Sequence, residues 1–220
     1  MSRDGIATLW ERVRGEALFR ARRRRAEPEL AAAFPDLAPP ERIAIARRSA
    51  WLETRLAGER FAARDAVRLC RDLALDGAAA LQQLRETTAA EAAVFSAAFG
   101  APALAERAVA LYAGDPQRRV QLLPTPGSGA SFAFLGRTVR CSADWLPRST
   151  ALLFPVFATL EPRRRARVVF ETPLPVEGEG ESATRAAIAA IERAVRAHPA
   201  AWPWGARQDD PSAADTPGPR

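Results

Sequence analysis

The texture of this 220-residue chain changes once, after Gly114, and that single change bounds what it can fold into. Before it, Ala, Leu, Arg and Glu dominate, residues that lose little side-chain freedom in a helix. Pro28 and Pro35 bracket a short segment, and Pro39–Pro40 open a helix, since proline suits a first helical turn. Ile43, Ala46, Ala50 and 52–56 give that helix a core-facing stripe up to Gly58. The composition stays helical from Glu59 to about Arg85 with a break at Gly77, and again from Thr88 to Tyr112 with an interruption at 100–102. After Gly114, strand character appears at 120–123, 132–135 and 137–141, around the turn-forming stretch 124–129. Residues 151–159 read as a buried strand, in which Pro155 requires an edge position or a bulge. A polar turn at 161–165 leads to 168–170, which pairs back as a hairpin, and 176–181 is an acidic, glycine-containing loop. A helix over 184–197 carries Ile188, Ile191 and Val195 on one face and stops before Pro199. The expected architecture is α/β: a helical N-terminal half and a small mixed sheet flanked by helices, forming one domain over 26–207. The Pro-, Asp- and Ala-rich stretch 208–220 reads as a disordered tail.

Charge adds a second constraint. All 32 basic residues are arginine, and against 26 acids they leave a net charge of +6. Eight arginines and three acids fall within the first 25 residues, so nearly all of the excess sits there. Ile6, Leu9, Trp10, Val13 and Ala17 recur at helical spacing in the same segment, with Arg20 and the run Arg22, Arg23, Arg24 and Arg25 after them. Residues 1–25 therefore read as a basic amphipathic helix. Its apolar stripe fits two destinations: the interface of an anionic membrane, or the domain core. Nucleic acid is disfavoured as a partner, because the basic run is not interleaved with aromatics and no known nucleic-acid motif accompanies it. No stretch approaches the roughly 18 apolar residues of a spanning helix, and no signal-peptide h-region is visible.

Candidate chemistry is sparse. One histidine and two distant cysteines, Cys70 and Cys141, cannot build the usual zinc site or a disulfide framework, so no metal or cofactor is expected and the thiols read as reduced and intracellular. The loop 124–129 (PTPGSG) lacks the Gly-Lys-Ser/Thr ending of a phosphate loop and reads as a turn. Ser128, Ser142 and Cys141 are conceivable nucleophiles without an adjacent base. Asp144 beside Trp145 reads as a loop aspartate. His198, at a helix end before a proline, reads as a cap or surface residue. These features alone support no reaction.

Three segments, in order, carry a resemblance. Residues 34–49 read FPDLAPPERIAIARRS. Residues 134–142 read FLGRTVRCS and precede the apolar strand. Residues 183–208 read ATRAAIAAIERAVRAHPAAWPWGARQ. Together they resemble the bacterial lipid A biosynthesis (lauroyl/myristoyl) acyltransferases, over roughly residues 20–208. The resemblance implies a lysophospholipid-acyltransferase-like fold, reduced in size. It also implies acyl transfer from acyl carrier protein to a lipid hydroxyl at the cytoplasmic face of the inner membrane. Acyl carrier protein or an acyl lipid would be the partner and an anionic membrane the peripheral contact. Arg137 and Arg207, with Gly136, would contact an anion near the cleft, while Trp10, Arg20 and 22–25 would face membrane or carrier protein.

The family's catalytic motif is a histidine followed five residues later by a carboxylate, which deprotonates the acceptor hydroxyl. The interval where it should lie, 86–102, reads ETTAAEAAVFSAAFGAP, without a histidine. The family's Asp-Gln pair is replaced by Pro124–Thr125, and the closing motif keeps Trp202, Trp204 and Arg207 but has Ala206 where the family has histidine. Pro203 stands five residues after His198. The expectation is a family-like scaffold with impaired catalysis. The alternatives are a non-catalytic accessory or binding protein, and an enzyme whose base is supplied by a partner chain or by His198 folded back over the cleft.

Overall fold

In the computed structural model of the chain, the described residues are 3–61, 73–96, 102–113, 120–122, 129–141, 146, 149–160, 166–176 and 180–206. Helix α1 spans Arg3–Ala33 and α2 spans Pro39–Phe61. Pro39 and Pro40 occupy the first turn of α2, and the Glu41 carboxylate reaches back to accept the Ala38 N–H at 2.8 Å, half of a capping box. Pro28 does not end α1, contrary to the bracketing expected from sequence. Its ring is exposed, while Ala26, Leu30 and Ala33 are buried on the opposite side, and the helix continues past the hydrogen bond that proline cannot make. Helix α1 runs on past residue 25 without a break. Phe19, Ala26 and Leu30 belong to the same apolar cluster as Phe95, Leu153, Phe157 and Ile191.

The remaining elements are β1 (Leu73–Asp76), α3 (Ala78–Glu86), β2 (Ala92–Ser96), α4 (Pro102–Tyr112), β3 (Val120–Leu122), β4 (Ala130–Phe134), β5 (Arg137–Cys141), β6 (Leu152–Leu160), β7 (Ala166–Phe170), β8 (Leu174–Pro175) and α5 (Gly180–Ala197), followed by a 3-10 turn, Pro199–Ala201. Two expectations fail here. Residues 73–76 and 92–96, read as helical, are strands. Both are parallel strands whose partners come from the distant C-terminal half: Leu73 lies opposite Ala166 and Ala93 opposite Leu153. That pairing overrides an alanine-rich helical propensity.

The main sheet runs β1-β7-β6-β2-β3, with β8 also on β6. It is mixed, since β6 is parallel to β2 and antiparallel to β7 and β8. Strict alternation divides its faces. Ala93, Phe95, Leu153 and Phe157 meet α1, α2 and α5, whereas Val94, Phe154, Val156, Ala158, Val168 and Phe170 meet α3 and α4. The layering is helix–sheet–helix. β4 and β5 form a separate hairpin, closed by Leu135 and Gly136 at φ 48° and 75°, and they pack Phe132 and Cys141 on Ile188 of α5. Helix α5 begins at Gly180, earlier than the sequence suggested, with the Thr184 hydroxyl donating to the Gly180 carbonyl at 2.7 Å. The turns at 124–128 and 161–165 and the tail 208–220 lie outside the described residues, as do Cys70, Ser128, Ser142, Asp144 and Arg207.

Candidate functional site

Pro155 lies next to a sizeable cleft, its carbonyl bonded to the cleft residue Glu171. It cannot donate to the ladder of the central strand β6. Opposite it the neighbouring chain carries one extra residue: Val156 faces Phe170 and Leu153 faces Leu174, so 171–173 oppose only two residues of β6. This is the bulge that the proline allowed, and the edge position is excluded because β6 is central. At the bulge the Glu171 N–H donates to the Pro155 carbonyl at 3.0 Å, and the Glu171 side chain reaches Arg193 of α5.

The cleft, about 510 Å³, opens between this bulge and the C-terminal end of α5. Phe157, Val169 and Leu174 form its apolar bed; Thr159, Thr172, Glu171, Arg193 and His198 supply its polar groups. Its size falls within the range of small-molecule sites. Arg193 Nη2 donates to Glu171 Oε2 at 3.4 Å, a long contact between a half-exposed guanidinium and a mostly buried carboxylate. Burial pushes the Glu171 carboxyl above its ordinary range, and Arg193 opposes that rise only in part. His198 is exposed and follows the last residue of α5; its backbone N–H donates to the Ala194 carbonyl at 2.9 Å. Among the described residues its imidazole has no hydrogen bond to a carboxylate. The cleft thus brings together a carboxyl, a guanidinium and an imidazole, without coupling the imidazole to the carboxyl.

The third segment carrying the resemblance lends Arg193 and His198 to this cleft, but the aromatic residues of all three segments converge on the end of α1. Phe34 meets Trp204 edge-on with centroids 5.9 Å apart, and Phe134 meets Trp202 at 5.2 Å. The Ser49 hydroxyl donates to the Trp202 carbonyl, and Trp204 Nε1 to the Pro199 carbonyl at 2.6 Å. Arg196 Nη1 donates to the Ala33 carbonyl at 3.0 Å. Gly136 and Gly205 permit this closure: a Cβ on Gly136 would stand 2.4 Å from the Ala32 carbonyl oxygen, and one on Gly205 2.8 Å from that of Arg22. Arg137 pairs with Glu29 at 3.2 Å, and the same Glu29 accepts the Gly205 N–H at 2.7 Å. Gly136 and Arg137 therefore serve this junction, and neither lines the cleft.

The arginine run divides. Successive helical residues point roughly 100° apart, so four in a row cannot share a face. Arg22 turns inward to Glu53 of α2, only 18% exposed, which corrects its expected place on the outer surface. Arg20 pairs with Glu16 at 3.3 Å, and Arg23, Arg24 and Arg25 are exposed. Trp10 and Val13 are 62% and 54% exposed, so this part of the apolar stripe does not pack on the core.

Sequence reasoning missed Glu171 and Arg193. The available signal was a carboxylate set directly after a strand ending in Phe170 and two residues before Pro173. Among the described residues no cluster of His, Cys, Asp and Glu could hold a metal ion, and no helix is long and apolar enough to cross a membrane. No protein-family model matches the chain, and no curated protein matches it.

Proposed function

We propose that the chain is a non-transferring relative of the lipid A acyltransferases: a scaffold whose cleft receives an acyl ligand, carried by acyl carrier protein or presented as an acyl lipid, without passing it on. It works peripherally at the cytoplasmic face of the inner membrane. One observation carries this reading: the cleft carboxylate, Glu171, is engaged by Arg193 and not by His198. A general base must be oriented to accept a proton, and its loss typically costs about 10²–10⁴-fold. The apolar bed beside a guanidinium supports binding of a chain with a polar head. The three co-linear segments support the acyl class.

The test separates binding from turnover. Given acylated carrier protein and a lipid hydroxyl acceptor, the chain is expected to release no thiol above the uncatalysed rate. It is expected to bind a fluorescent fatty acid, and Arg193→Ala to weaken that binding about tenfold, the scale of one charge-assisted hydrogen bond. Thiol release abolished by His198→Ala would overturn the reading and establish the enzyme alternative, which the shared wall of His198 and Glu171 keeps in view.

A further inference from the structure

The contact between Arg193 and Glu171 in the cleft is looser than the ion pairs around it. It is one Nη2–Oε2 approach at 3.4 Å, whereas a guanidinium fork closed on a carboxylate makes two bonds of about 2.7–2.9 Å. Glu192, next to Arg193 on α5, holds Arg196 at 2.7 Å. Asp76, opposite the cleft residue Val169, holds Arg167 at 3.2 Å. A guanidinium has five N–H donors, and this contact is the one hydrogen bond of the Arg193 side chain among the described residues. Beside it the wall of α5 is two methyl groups, Ala194 and Ala197, and the bed is Phe157, Val169 and Leu174.

We infer that Glu171 is an internal stand-in for the head of the ligand: its carboxylate occupies the Arg193 guanidinium until the free carboxylate of an acyl chain lying on the apolar bed displaces it. This rests on the reading that the cleft receives an acyl chain, and it names the form held tightest. That form is the free acid, ahead of an ester or thioester, whose neutral carbonyl accepts a weaker hydrogen bond. Glu171 is fixed to the strand end and meets Arg193 through one oxygen, while a ligand carboxylate is free to align both oxygens with the fork. Once displaced, Glu171 takes a proton from solvent readily, because burial already pushes its carboxyl above the ordinary range. That proton relieves the repulsion of two carboxylates in one cleft. His198, the remaining titratable group of the lining, adds no negative charge. Glu171 thus lowers affinity for the free acid by the share of time it holds Arg193, and affinity for an ester much less.

The experiment is fluorescence titration of the full chain with a fluorescent fatty acid and with its methyl ester, below micelle-forming concentrations. The pH is held at about 8, well above the ordinary carboxyl range. The parent is expected to hold the acid about tenfold tighter than the ester. E171Q should tighten the acid about tenfold further and leave the ester within about twofold. R193Q should erase the acid's advantage, and in that background E171Q should have little effect, a coupling that the double-mutant cycle reads directly. Glutamine keeps the shape of glutamate, and the thermal midpoint checks that each variant is folded. Acid and ester bound alike by the parent, weaker acid binding by E171Q, or an E171Q effect that persists undiminished without Arg193 would each overturn the inference while leaving the cleft an acyl site. Failure of both probes to bind the parent would overturn the acyl reading itself, and this inference with it.

Discussion

Glu171 illustrates what a single residue's surroundings do to its chemistry. It follows Phe170, whose ring is buried against α3 and α4, and the bulge opposite Pro155 places it over the other face of the sheet. Burial disfavours its charged form, and Arg193 at 3.4 Å restores only part of the loss. A carboxyl with a folded pKa above its unfolded one binds more protons in the native state. Its contribution to stability is therefore complete below the unfolded value, about 4.3, and is lost as pH rises through the folded value. Urea midpoints measured across this window should fall with rising pH in the parent and fall less in Glu171→Gln. An unchanged slope in the variant would place the titration elsewhere. The sequence allowed a bulge at Pro155 but did not place Glu171 beside Arg193, because that needs the pairing of β6 with β7 and β8 and the packing of α5, which only the fold supplies. His198, by contrast, was legible as a helix-end residue, and there it is found.

At the scale of elements, the legible parts were those whose signals are local. The proline pair starting α2, the β4–β5 hairpin around Leu135–Gly136, and α5 with its buried Ile188, Ile191 and Val195 all follow from nearby residues. β1 and β2 were not legible because a parallel strand gains its hydrogen bonds from distant partners, and Ala-rich sequences such as AAVFS carry no alternation to betray them. Helix α1 was legible as a helix but not in its orientation. Its stripe through Trp10 and Val13 and its stripe through Phe19 and Leu30 lie on different sides, and only the second is buried. The two faces should therefore answer differently to truncation. Leu30→Ala, at a fully buried position, should cost about 2–5 kcal/mol in urea unfolding. Trp10→Ala, although it removes a larger side chain, should stay within about 0.5 kcal/mol. A large cost at Trp10 would mean that the outer face is covered in solution.

Across the whole molecule, the first helix and the last described segment hold each other. The Gly205 N–H reaches Glu29 over 176 positions of sequence, and Glu29 in turn pairs with Arg137 of the β4–β5 hairpin. Trp204 is 4% exposed, lies edge-on to Phe34 and donates to the Pro199 carbonyl. Phe34, Ser49, Phe134, Trp202 and Trp204 thus meet at a packing junction, while Arg193 and His198 of the helix that leads into it line the cleft. The two sets of residues answer to different demands, closure at the junction and a polar lining in the cleft. Because that junction clamps α1 to α2, α5 and the hairpin at once, it should be a determinant of global stability and not of local order. Trp204→Ala is expected to cost about 3–5 kcal/mol. Loss of far-ultraviolet helical signal and loss of tryptophan burial should still coincide in one transition at a lower midpoint. Two separated transitions, with α1 melting first, would mean that the first helix is held by α2 alone and that the closing segment merely rests upon it.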